Sequence, residues 1–151
     1  MKNYTSIHYR VCYGDTDAMG VVYYANYLRL FEIGRNELIR EIFCSYQEIE
    51  QSGIMMPVVS VEAKYHRSAV FDQILEIRTS VKSLSGLKLA IETEVLDDKE
   101  NVLCSGTTIL TFLDRNSKRP CRVPDDFKSA IEQFMNEPNK IGFCSSNKGL
   151  T

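Results

Sequence analysis

The feature that most constrains this chain is one long stripe of helical period followed by four segments of period two. Tyr27, Leu30, Phe31, Gly34, Leu38 and Ile42 recur at steps of three and four, which predicts a helix from about Ala25 to Phe43. Arg29, Arg35, Asn36 and Arg40 fall largely off that stripe. Gly34 costs up to about 1 kcal/mol in a helix interior, and close approach of the helix to another backbone is the expected return. Downstream, Val59, Val61, Ala63 and Tyr65 alternate with polar residues, as do Leu75, Ile77, Thr79 and Val81, and then Leu87, Leu89, Ile91, Thr93 and Val95. The fourth segment, Val102 to Leu113, is apolar or small on both parities, the pattern of a strand covered on two sides. Ser85-Gly86 and the run from Asp97 to Asn101 are natural turns.

An earlier strand is predicted over residues 4–13, with Ile7, Tyr9, Val11 and Tyr13 on one face. A short helix is predicted from Pro124 to Met135, with Phe127, Ile131 and Phe134 on one side. The order strand, helix, four strands, helix defines an α+β domain and not a doubly wound sheet. At 151 residues the chain has room for one domain. Residues 1–135 are expected to form it, and the Asn-, Ser-, Lys- and Gly-rich residues 136–151 a flexible tail. A sheet wrapped on one helix leaves a face and edges open, so a homodimer or homotetramer is expected.

Lys and Arg number 18 against 20 Asp and Glu, a net charge of −2, which offers no footprint for duplex nucleic acid. The longest apolar stretch, 54–61, contains Pro57 and Ser60 and is far short of the roughly 20 residues a membrane span needs. The first six residues have no apolar core of a signal peptide. The five cysteines are scattered without a Cys-x-x-Cys pair, and only His8 and His66 are present. A reducing, cytoplasmic setting is expected, with no metal and no cofactor.

The stretch from Gly14 to Tyr27, GDTDAMGVVYYANY, carries the chemistry. It is a carboxylate-bearing loop that enters the N-terminus of the long helix. Unpaired N–H groups there, at the positive end of the helix dipole, favour a polarised carbonyl oxygen, and an Asp beside them could attack or deprotonate what they polarise. On pattern alone, Asp15 and Asp17 as turn formers or caps explain the loop equally simply.

Tyr13, Asp15, Asp17, Gly20, Val21, Val22, Tyr23 and the Ala25-Asn26-Tyr27 helix entry resemble the 4-hydroxybenzoyl-CoA thioesterase family of hotdog-fold proteins, including its Tol-Pal-associated acyl-CoA thioesterase branch. Phe31-Glu32 with Arg35, the segment Tyr65-His66-Arg67-Ser68-Ala69 leading to Asp72, and Arg122-Val123-Pro124 extend the likeness over about residues 6–135. The resemblance implies a hotdog fold, an antiparallel sheet around one central helix, and hydrolysis of an acyl-CoA to a carboxylic acid and free CoA. It implies Asp17 as nucleophile or general base, and the backbone amide of Tyr24 as oxyanion donor. Tyr13, Gly20, Val21, Val22, Tyr23, Asn26 and Glu32 would line the substrate site, and Arg67 and Arg122 would meet CoA phosphates. Each has a plainer reading: core aromatic for Tyr13 and Tyr23, cap for Asn26, backbone hydrogen bond for Glu32, solvated charge for the arginines. Asp15 is expected to hold the loop. The rival functions are a hydratase on the same fold, a carrier-protein thioesterase, and a non-catalytic acyl-CoA binding or envelope-assembly protein.

Overall fold

A computed structural model describes residues 3–44 and 46–137, together with the backbone of 143–144. The strand β1 (Thr5–Arg10) leads through a 3-10 turn at Tyr13–Asp15 to the central helix α1 (Asn26–Ile42). A second helix, α2 (Tyr46–Gln51), and a short strand, β2 (Ile54–Met55), follow. Then come β3 (Val58–Tyr65), β4 (Ile74–Ser85), β5 (Lys88–Leu96), β6 (Val102–Thr111), β7 (Leu113–Asp114), α3 (Asp125–Asn136) and β8 (Phe143–Cys144). The main sheet runs β3-β6-β5-β4-β1-β8, antiparallel at each step except the parallel β1–β8 pair. The remainder of the expected tail lies outside the described residues.

The predicted alternation places one parity of each strand under α1. Leu75 and Ile77 of β4, Val95 of β5 and Cys104 of β6 join Tyr27, Leu30 and Phe31 of the helix in one buried cluster. Leu38 and Ile39 begin a second cluster with Leu89, Ile91, Leu110 and Phe112, which α3 covers with Phe127 and Ile131. Gly34 lies between the two clusters, where the helix closes on β4. A methyl group there would overlap Thr79 Oγ1 and reach 2.7 Å from Ile77 Cγ2. The close approach expected of this glycine is therefore to side chains of the sheet. Gly106 does the same from the other side, letting the Phe31 ring rest on β6.

Two local expectations are corrected. The first strand ends at Arg10, not at residue 13, because the chain turns at Cys12; Tyr13 is thrown outward, 79% exposed, edge-on to Phe71. The apolar run after β6 breaks at Phe112, and Leu113–Asp114 leaves the main sheet to pair with β2. The long helix ends at Ile42, within a residue of its predicted end, and α2 follows as a separate short helix.

The strand β3 departs from its sequence pattern in an instructive way. Its alternation predicts one buried face, yet Val58, Val59, Val61 and Tyr65 are all exposed, and β6 is its only strand partner among the described residues.

Candidate active site

The loop between β1 and α1 is held on both sides. Val22 N–H donates to Ala69 O at 2.9 Å, and isolated bridges join Thr16 to Val22 and Val21 to Val70. Within the loop, Gly20 N–H donates to Asp17 O and Asp17 N–H to Val21 O, both at 3.0 Å. Gly20 closes this turn at φ +77°, a conformation open to glycine and costly for other residues.

The two carboxylates of the loop sit in different surroundings. Asp15 is 8% exposed. Its Oδ2 accepts the Tyr9 hydroxyl at 2.7 Å and Cys12 N–H at 2.8 Å, and its backbone carbonyl accepts Tyr23 N–H and Asn26 Nδ2. Arg29 lies 3.7 Å from its other oxygen. Burial, followed by this carboxylate, pushes the Tyr9 pKa up to about 12. Asp17 is only half-buried. Its Oδ1 accepts Met19 N–H at 2.8 Å, and among the described residues no protein donor reaches Oδ2.

Asp17 lines a cleft of about 320 Å³ with Met19, Val21, Val22, Tyr24, Tyr27 and the segment Tyr65–Ser68. At the entry to α1, Asn26, Tyr27 and Leu28 donate to the carbonyls three residues back, and no side chain caps the helix. The N–H groups of Tyr24 and Ala25 donate to no acceptor among the described residues. Asp17, with one carboxylate oxygen free of protein donors among the described residues, and Tyr24, whose N–H is uncommitted like that of Ala25, thus line one cleft at a helix start. An ester carbonyl oxygen on those amides would present its carbon to the carboxylate or to a water that the carboxylate activates.

Of the residues singled out in the sequence, Asp17, Val21, Val22, Tyr24 and Arg67 come together on this cleft. Gly20 shapes the loop without lining it. Asn26 ties the helix start to Asp15 O, Tyr23 stacks edge-on to Tyr24 at 4.8 Å, and Tyr13 projects beside Phe71. Glu32 is exposed on α1 and Arg122 is exposed just before α3; neither lines the cleft. The cleft also takes Tyr27 and Tyr65. Tyr27 is 3% exposed, and its phenol pKa is raised by that burial. Among the described residues no cluster of three His, Cys, Asp or Glu could hold a metal ion, and no helix is long and apolar enough to cross a membrane.

The sheet wrapped on α1, with a carboxylate loop at the mouth of that helix, defines a hotdog-fold protein. Comparison with known proteins agrees. The profile of the thioesterase-like superfamily matches residues 11–131. The acyl-CoA thioester hydrolase YbgC of Escherichia coli O6:H1 is 30% identical over 125 residues, 83% of this chain and 91% of the relative. The acyl-CoA thioesterase YbgC of Haemophilus influenzae is 30% identical over 136 residues, 89% of this chain and 98% of the relative. The solved DHNA-CoA thioesterase from Staphylococcus aureus superposes with a TM-score of 0.83 at 27% identity, covering 92% of this chain and 97% of that one. The chain belongs to the thioesterase-like superfamily, and it is an enzyme of the thioester-hydrolase class.

Proposed function

We propose that the cleft hydrolyses acyl-CoA thioesters to a carboxylic acid and free CoA, with Asp17 as the reacting carboxylate and the Tyr24 amide as oxyanion donor. The observation that carries this reading is the meeting of Asp17 and Tyr24 on one cleft at a helix start with uncommitted N–H groups. A thiol titrates near pH 8.5, so the thiolate leaves without a strong general acid. Asp17 then acts in one of two ways. It attacks the carbonyl carbon, expels the thiolate and forms a mixed anhydride that water cleaves, or it takes a proton from the water that attacks directly. Arg67, on the rim, offers a guanidinium to a phosphate of CoA.

The working unit in this reading is a cytoplasmic homodimer paired through β3, whose exposed valines line an open sheet edge. Antiparallel pairing of β3 with its copy lays the Tyr65 end of one strand beside the Val58 end of the other. The turn that carries Arg115 and Lys118 lies at that end, where Arg115 N–H donates to Gly53 O and Lys118 Nζ approaches Met55 Sδ at 3.4 Å. Each copy would thereby bring a basic turn toward the other's cleft. No metal, redox group or other cofactor takes part; CoA enters as substrate.

The test is thiol release from a panel of aliphatic, aromatic and naphthoyl CoA esters, with an acyl-carrier-protein ester run alongside. Turnover of at least one CoA ester is expected. Binding of acyl-CoA without thiol release, where a control thioesterase turns over, would refute the hydrolytic reading.

A further inference from the structure

Tyr65 lines the cleft but belongs to neither the carboxylate nor the helix. Its hydroxyl donates to the backbone carbonyl of Tyr24 at 2.9 Å. We propose that this hydrogen bond makes Tyr65 a positioning residue, holding the Tyr24–Ala25 peptide unit and through it the aim of the adjoining Tyr24 N–H, which receives the developing negative charge of the ester oxygen. The proposal rests on the hydrolytic reading above.

Tyr24 lies one residue before Ala25, the N-cap of α1. In a regular helix the Tyr24 carbonyl would take the N–H four residues on. Here Leu28 N–H goes instead to Ala25 O at 3.2 Å, and Tyr27 N–H reaches Tyr24 O only at 3.4 Å. The Tyr24 carbonyl is left with a poor partner, and the Tyr65 hydroxyl supplies a good one. On the other side, Tyr23 N–H donates to Asp15 O at 2.9 Å. The peptide unit between these two anchors carries the uncommitted Tyr24 N–H. The carbonyl of that unit, Tyr23 O, accepts Asn26 N–H at 2.9 Å, and peptide units are planar, so this bond and the two anchored neighbours together set the direction of the Tyr24 N–H.

The Tyr65 ring is itself held in place. It stands edge-on to Tyr27 at 5.5 Å and to Tyr24 at 6.2 Å, and Tyr27 is a core residue. The strand behind it is fixed by pairing of Tyr65 with Cys104 in β6. Tyr65 is 48% exposed in the single chain, so core burial does not hold its hydroxyl in place. A donor must already be aimed when charge develops, and removal of one such donor typically costs about 10²–10³ in rate. Loosening the aim costs part of that.

Tyr65→Phe deletes the hydroxyl and keeps the ring. It should lower kcat about tenfold while KM and the affinity for a non-hydrolysable thioether analogue change by less than about twofold, because only the transition state uses the aim. Amide NMR supplies a readout free of turnover: the Tyr24 and Ala25 N–H resonances should shift in the variant, and that of Leu30 should not. Unchanged Tyr24 and Ala25 resonances would overturn the clamp. Shifted resonances with kcat within about twofold of the parent would overturn its role in positioning. A parent protein that turns over no thioester while the resonances still shift would instead remove the hydrolytic reading, and the catalytic part of this proposal with it.

Discussion

The Tyr9 hydroxyl donates to Asp15 Oδ2 at 2.7 Å, across the point where the chain leaves β1 for the loop. Cys12 N–H converges on the same oxygen, while Asp17, two residues on, keeps one carboxylate oxygen without a protein donor among the described residues. The loop thus divides its labour: Asp15 is consumed in holding the turn, and Asp17 remains available. Asp15→Asn keeps the shape but places either an amide NH₂ or a single weaker acceptor before two donors. It should cost about 1–3 kcal/mol of stability, the usual penalty for unpairing a buried donor. Urea unfolding measures it, and a loss below about 0.5 kcal/mol would contradict the structural role.

Gly34 should not tolerate a side chain. Gly34→Ala gains up to about 1 kcal/mol of helix propensity, but the new methyl meets Thr79 Oγ1 and Ile77 Cγ2. Overpacking of this kind typically costs about 1–3 kcal/mol, so net destabilisation is expected. Thr79 Oγ1 is the one buried side-chain oxygen or nitrogen without a hydrogen-bond partner among the described residues, so little is lost when it is removed. Gly34→Ala with Thr79→Ala should therefore recover much of the stability. A double variant no better than Gly34→Ala alone would show that the contact is not the cause.

Glu41 sets a pH dependence. Partial desolvation, and then the nearby Glu37 carboxylate, push its pKa up from 4.5 to about 7. The folded chain thus holds this proton more tightly than the unfolded chain does. Its contribution to stability is complete below pH 4.5 and is lost as the pH rises through about 7. Glu41→Gln removes the ionisation, so its melting temperature should exceed the parent's at pH 8, and the gap should close at pH 4. Melting curves at the two values decide it; a gap of equal size at both would contradict the assignment.

The exposed edge of β3 predicts a second consequence. In the proposed dimer, Val61→Lys places a positive charge near its own copy in a two-fold pair of these strands and should weaken association by about tenfold, as expected of like charges set opposite one another. Sedimentation at graded concentrations measures this. A dimer of unchanged affinity would place the interface elsewhere.

Much of this was legible in the sequence, for physical reasons that differ by element. The α1 stripe and the alternation of β4 and β5 were readable because each has a face buried within the chain, so period and burial coincide. For Tyr13 the alternation misled, since the turn begins at Cys12 and the chain no longer obeys a period of two. The strands β2 and β7 are two residues each and carry no period at all. The loop's composition announced two carboxylates, but their separate roles depend on Tyr9 and Cys12 N–H closing on one of them. Tyr65 was visible as one apolar position in a strand and as the start of the segment 65–69 that carries part of the resemblance, with no role of its own. What gives it a role is the Tyr24 carbonyl, 41 residues away in the chain, and only folding brings the two together.

The central claim is tested most directly by thiol release from the best CoA ester with Asp17→Asn. The substitution keeps the size of the side chain and an oxygen able to accept Met19 N–H, so the loop should keep its fold. Turnover should fall by about 10² or more, because the lost charge acts in the chemical step. A folded Asp17→Asn protein that releases thiol at near the parent rate would contradict the account.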